Sequence, residues 1–212
     1  MHGIYLVTDT AACLEKPLET VVADAVRGGV VCVQLREKDA STRDILKKAL
    51  ALKAVLKPAG IPLIINDRVD IALAAGADGV HLGQSDMPCG LAREILGPRA
   101  IVGLSVETWE DVESAEKLDV NYLGVSPIFP TATKTDTGEP WGLEGLHRIR
   151  AYSRHPLVAI GGINHSNAAA VLGAGAHGLA VISAVCSAEN TFEATRGLVR
   201  IYGLTGDKKR NK

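Results

Sequence analysis

The sequence has no uninterrupted apolar run near the ~18 residues that carry a helix across a bilayer, so no membrane span is expected. From Met1 to Thr8 it goes straight into a strand-like run, with neither a basic leader nor a cleavage site, and a cytoplasmic protein is the expectation. It also lacks a surplus of either charge, because 23 Lys and Arg stand against 24 Asp and Glu for a net charge of -1. That balance removes any global attraction to nucleic acid or an anionic membrane, so an anion site must be local. Cysteine is scarce. Cys13, Cys32, Cys89 and Cys186 offer no Cys-x-x-Cys spacing, which argues against a zinc site or a disulfide framework and leaves reduced, buried thiols. No nucleophilic triad stands out, and His81, inside a strand-like run, reads as a satisfied core or rim histidine.

What the 212 residues do have is 47% apolar and 22% charged side chains, enough for one folded domain spanning 1–212. Short β-branched runs alternate with longer runs of helical period. The runs Gly3 to Thr8, Val31 to Leu35, Pro62 to Asn66, Gly79 to Leu82, Ala100 to Ser105, Tyr122 to Ser126, Pro156 to Ile160 and Gly178 to Ile182 read as strands. The helices are expected over Pro17 to Arg27, Ser41 to Ala59, Val69 to Ala75, Cys89 to Leu96, Thr108 to Lys117, Leu143 to Tyr152, Asn167 to Ala174 and Thr191 to Gly203. Ala-Gly-Ala-Asp-Gly-Val from Ala75 and Ala-Gly-Ala-His-Gly-Leu from Ala174 lie 99 positions apart, close to four units of about 26 residues. A helix-to-strand junction recurring on opposite sides of an eightfold ring gives that offset. The α/β class and a single (β/α)8 TIM barrel follow, with an open doubly wound sheet as the alternative and residues 205–212 as a frayed, solvated tail.

In such a barrel the chemistry sits at the carboxyl ends of the strands. Gln34, Arg36 and Lys38 follow the second strand at spacings of two, so they share one face if the extended backbone continues. Cations on an inward face are costly unless an anion meets them, which points to a polyanion site; solvation at the rim is the alternative. Asn66 and Asp67 end the third strand, and Gln84 and Asp86 follow the fourth. Strands one spacing apart bring the two Asp within reach of one hard cation such as Mg²⁺, unless Asp67 pairs with Arg68 and Asp86 caps a helix. Residues 127–142 make an unusually long connection, read as a mobile lid carrying Thr131, Thr133 and Lys134. Gly161 and Gly162 after the seventh strand, and Ser183 and Ala184 after the eighth, occupy the frequent phosphate position of the fold, although a tight turn also explains the glycines.

The ordered set Tyr-Leu-Val-Thr-Asp (from Tyr5), Gln-Leu-Arg-Glu-Lys (Gln34), Asn-Asp-Arg (Asn66), His-Leu-Gly-Gln-Ser-Asp (His81), Gly103 to Ser105 and Pro-Thr-Ala-Thr-Lys (Pro130) resembles the thiamine-phosphate synthase family over nearly the whole chain, as do Ala159 to Ile163 and Val181 to Ala184. The resemblance implies a transferase that joins 4-amino-2-methyl-5-hydroxymethylpyrimidine diphosphate to 4-methyl-5-(2-phosphooxyethyl)thiazole, with one Mg²⁺ per subunit. It implies that Gln34, Arg36, Lys38, Asn66, Ser105 and Lys134 hold the pyrimidine diphosphate, with Arg36, Lys38, Ser105 and Lys134 catalytic. Asp67 and Asp86 would hold the metal, and Thr131, Ala132, Thr133, Gly162, Ile182 and Ser183 the thiazole phosphate. The alternatives are an isomerase like thiazole tautomerase and a noncatalytic phosphate-sensing barrel. The oligomeric state stays open, a homo-oligomer included.

Overall fold

The computed structural model describes residues 2–131 and 138–210. Within them the chain alternates β1 (Gly3–Val7), α1 (Leu18–Gly28), β2 (Cys32–Leu35), α2 (Thr42–Leu56), β3 (Leu63–Asn66), α3 (Val69–Ala75), β4 (Gly79–Leu82), α4 (Cys89–Leu96) and β5 (Ile101–Val106). It continues with α5 (Trp109–Ala115), β6 (Tyr122–Val125), α6 (Gly142–Tyr152), β7 (Leu157–Ala159), α7 (Ala168–Gly173), β8 (Gly178–Val181), α8 (Ser183–Cys186) and α9 (Thr191–Arg210). All neighbouring strands run parallel, and β8 returns to β1 with Gly178 beside Gly3 and Leu179 beside Ile4, closing the barrel and excluding the open sheet. The two similar junctions lead into β4 and β8, on opposite sides of the ring, and each turns through a glycine of positive φ, Gly76 and Gly175.

Strand parity decides what each face holds, because successive side chains point to opposite faces. On β1, Ile4 and Leu6 pack outward into the shell shared with the helices, whereas Tyr5 and Val7 point inward; β2 sends Val33 and Leu35 outward and Cys32 inward. The same alternation puts Ile64, Tyr122, Val158 and Ala180 inside the barrel. Both faces are therefore buried, as parallel strands covered by helices require. The interior is the smaller cluster, and it is apolar only toward one end.

The cap residues behave as their chemistry suggests. The Ser41 hydroxyl accepts from the Asp44 amide at 3.2 Å, and Thr108 and Asp111 form a reciprocal capping box at the start of α5. The last helix differs from expectation. α9 runs through Arg210, past Gly203, and the Thr205 hydroxyl bonds back to the Ile201 carbonyl at 2.9 Å, so the backbone read as a tail is helical as far as that residue. α8, four residues long, is too short to leave a periodic signature. All four cysteines are free and buried, and the Cys186 thiol lies 3.9 Å from the Val7 carbonyl oxygen.

Candidate active site

The carboxyl ends of the strands open into a cavity of about 520 Å³. Gln34 is buried on the inward face of β2, and the spacing of two carries Arg36 and Lys38 to the same cavity. The backbone stays in line as far as Arg36 because the ladder continues past the strand ends, before it bends at Lys38: the Thr8 amide donates to the Gln34 carbonyl at 2.9 Å, and the Arg36 amide to the Thr8 hydroxyl at 3.1 Å. Glu37, of opposite parity, pairs with Lys48 at 2.8 Å.

Asp67 and Asp86 meet at the next two strand ends. Asp67 takes a left-handed φ of 61°, held there by its amide donating to the His81 carbonyl at 2.8 Å. Asp86 folds back so that its Oδ2 accepts from the Gly83 amide at 2.6 Å, and a Cβ on Gly83 would sit 3.1 Å from that oxygen. The two carboxyl groups act directly on each other. Burial, the hydrogen bond that a protonated Asp67 can give Asp86, and the Asp86 charge push Asp67 up to about 6, although Lys38 and Arg36 pull the other way. The competing pairings do not form: Arg68 binds Asp70 at 2.6 Å and holds its carboxyl below the usual range, and the residue capping α4 is Pro88.

The inward side chains of β4, β5 and β6 make a polar floor. His81 Nδ1 lies 3.0 Å from the Tyr122 hydroxyl and Nε2 2.9 Å from the Ser105 hydroxyl. The Tyr122 and Tyr5 hydroxyls are 2.9 Å apart, and Gln34 Nε2 donates to Tyr5 at 2.9 Å. Gln84 Nε2 donates to the Ser105 carbonyl at 2.6 Å, closing the rim over β5.

Gly161 and Gly162 have φ of 102° and 65°, and both receive the stem of the long connection after β6. A Cβ on Gly161 would lie 2.7 Å from Pro127 Cβ, and one on Gly162 2.9 Å from the Pro130 carbonyl oxygen. The stem is tied at both feet: the Ile128 and Phe129 amides donate to the Ile160 and Gly161 carbonyls, and the Trp141 and Gly142 amides to Pro127 and Ile128. Conformation and close approach both demand glycine here. Gly162→Ala is expected to cost about 2 kcal/mol in chemical denaturation, from a strained φ and a displaced stem. Unchanged stability would show that the stem yields freely.

Of the residues the sequence singles out, Gln34, Arg36, Lys38, Asn66, Asp67 and Asp86 all line the one cavity, as do Ser105, Thr131, Gly162, Ile182 and Ser183. Ala132, Thr133 and Lys134 lie outside the described residues. Sequence reading passed over Tyr5 and Tyr122 and discounted His81. Their signal was parity: each falls on an inward position of its strand, by the parity that Tyr5 shares with Val7 and Ser105 with Gly103.

A sequence profile described as thiamine monophosphate synthase matches residues 4–185, from β1 into α8. The chain belongs to the thiamine monophosphate synthase family. It is 62% identical over 187 residues to the thiamine-phosphate synthase of Albidiferax ferrireducens, covering 88% of this chain and 85% of that one. The thiamine-phosphate synthase of Leptospira biflexa is 55% identical over 202 residues, 93% of this chain and 96% of its own. Among solved structures, thiamine phosphate pyrophosphorylase from Pyrococcus furiosus superposes with a TM-score of 0.87 at 40% identity, covering 96% of each chain. Membership of the thiamine monophosphate synthase family makes this protein a transferase of thiamine biosynthesis that acts on small heterocyclic substrates. No helix among the described residues is long and apolar enough to cross a membrane.

Proposed function

We propose that the protein condenses 4-amino-2-methyl-5-hydroxymethylpyrimidine diphosphate with 4-methyl-5-(2-phosphooxyethyl)thiazole, giving thiamine phosphate and diphosphate, with Mg²⁺ bound by Asp67 and Asp86, and that it works in the cytoplasm. The observation that carries the reading is that Asp67 and Asp86 line the same cavity as Arg36 and Lys38, with the two carboxyl groups within electrostatic reach of each other and of both cations. Two carboxyl groups forced together are an excess of hard oxygen donors, which suits a divalent cation. A donor set of two carboxylates leaves room for water and phosphate oxygens in a Mg²⁺ shell. When bound, Mg²⁺ supplies positive charge to the diphosphate oxygens.

The chain's own residues account for the remaining demands. The carbon–oxygen bond of the pyrimidine substrate breaks with its electron pair leaving on diphosphate, and the thiazole nitrogen then bonds the pyrimidinylmethyl cation. No base or covalent enzyme intermediate is needed, consistent with a site built from cations and donors rather than a triad. Arg36 and Lys38, joined by Lys134 from the lid, meet the growing negative charge. Gln34, Asn66 and Ser105 hold the pyrimidine substrate deeper in the cavity. Thr131 to Thr133 with Gly162, Ile182 and Ser183 hold the thiazole phosphate across it, so the nucleophile stands ready when the cation forms. A lid whose stem is fixed to β7 excludes the water that would otherwise trap that cation.

The test is an assay of purified protein with both substrates and Mg²⁺. Thiamine phosphate and diphosphate are expected in equal amounts. An isomerised thiazole with no diphosphate released, or binding without turnover, would overturn the reading.

A further inference from the structure

The polar floor of the barrel is a chain of hydrogen bonds with one fixed end. Gln34 Nε2 can only donate, and it donates to the Tyr5 hydroxyl. A phenol has a single proton, and the arrangement that gives it to the nearest oxygen has Tyr5, having accepted from Gln34, donate to Tyr122, with the Cys32 thiol beside it as the weaker partner. By the same count Tyr122 donates to His81 Nδ1. A neutral imidazole that accepts at Nδ1 has its proton on Nε2, and Nε2 faces the Ser105 hydroxyl at 2.9 Å. Ser105 therefore accepts from His81, and its own hydrogen must go elsewhere. Among the described residues no protein acceptor is in place for it, and Ser105 lines the cavity.

We infer that Tyr5 and Tyr122 are positioning residues, which fix His81 as the Nε2–H tautomer and so present the Ser105 hydroxyl to the pyrimidine diphosphate as a hydrogen-bond donor. The inference rests on the proposed function for the identity of that ligand, and on the hydrogen-bond geometry alone for the tautomer.

Two further features support it. Gly103 and Gly124 occupy inward positions on β5 and β6, where a side chain would fill the barrel. A Cβ on Gly103 would lie 2.2 Å from Tyr122 Cζ and 2.6 Å from His81 Nδ1, and one on Gly124 2.9 Å from His81 Cε1. Both strands are hollowed out to seat the two rings, which stack with centroids 5.5 Å apart and planes inclined by 24°. Burial also pushes both phenols well above their ordinary range, so each retains the one proton that the count requires.

The experiment is long-range ¹H–¹⁵N correlation on the imidazoles of the free protein above about pH 8, where an ordinary histidine is neutral. His81→Gln assigns the signal. The expected result is a proton on Nε2 of His81. A proton on Nδ1 would reverse every bond of the chain, make Gln34 the acceptor, and overturn the inference without any variant having to fold. In Tyr122→Phe the ring remains but its hydrogen bond is gone. His81 should then populate both tautomers, and kcat should fall about 10- to 100-fold, the cost of a buried partner left unmet. KM should stay within about threefold, because what is lost is orientation rather than uniform binding. An unchanged tautomer with unchanged kcat would also overturn the inference. Wild-type protein that shows the Nε2–H tautomer but forms no thiamine phosphate would overturn the proposed function instead, so the two failures are distinguishable.

Discussion

Asp67→Asn and Asp86→Asn are each expected to lower Mg²⁺-dependent turnover by about 10² to 10³-fold, the range for removing a preorganised electrostatic contact from a transfer reaction. Asparagine is the informative replacement at 67. That residue has a φ of 61°, a region asparagine tolerates and alanine does not, so the variant tests charge without adding backbone strain. Folding stability should hold or rise slightly in both variants, because each removes one of two carboxyl groups crowded into a half-buried site. Activity measured against Mg²⁺ concentration, with thermal unfolding alongside, separates the two effects. Full turnover with ordinary metal dependence in both variants would remove the carboxylate pair from the mechanism.

Arg36→Met should be the second large loss, with kcat/KM for the pyrimidine diphosphate down about 10²-fold or more. The methionine keeps much of the apolar stem and removes the guanidinium. Arg36 lies beyond the end of β2, held in line by its backbone amide on Thr8, so the substitution leaves that bond intact and the fold with it. The nearby Lys48 is already paired with Glu37 at 2.8 Å and is not available to replace the lost charge. Steady-state kinetics in each substrate should show the loss confined to the diphosphate side, with KM for the thiazole phosphate little changed. An equal loss on both sides would point to a general collapse of the cavity.

The sequence was legible wherever local rules and barrel closure agreed. α3 and α4 fall where their periodicity puts them, and the Ala-Gly-Ala junctions before β4 and β8 sit on opposite sides of the ring. Arg36 and Lys38 were readable because a spacing of two survives any small error in strand bounds. Asp67 beside Asp86 required only that consecutive strands be neighbours. What stayed hidden depends on contacts across the barrel: the Tyr5 and Tyr122 hydroxyls meet over a separation of 117 residues, and nothing near either position marks it as polar. Gly103 and Gly124 look like weak strand residues until the rings they accommodate are in view. Gly161 and Gly162 admitted two readings, and packing against Pro127 and Phe129 explains them without a ligand.

The most direct test of the account is calorimetric titration of the free protein with inorganic diphosphate, with and without Mg²⁺ at constant ionic strength. Wild-type protein should bind diphosphate at least about tenfold more tightly with Mg²⁺ than without. Asp67→Asn should lose that gain yet keep the metal-free affinity that Arg36 and Lys38 provide. Equal affinity in the two buffers, or a gain that survives in Asp67→Asn, would contradict a site in which paired carboxylates and strand-end cations grip the leaving group together.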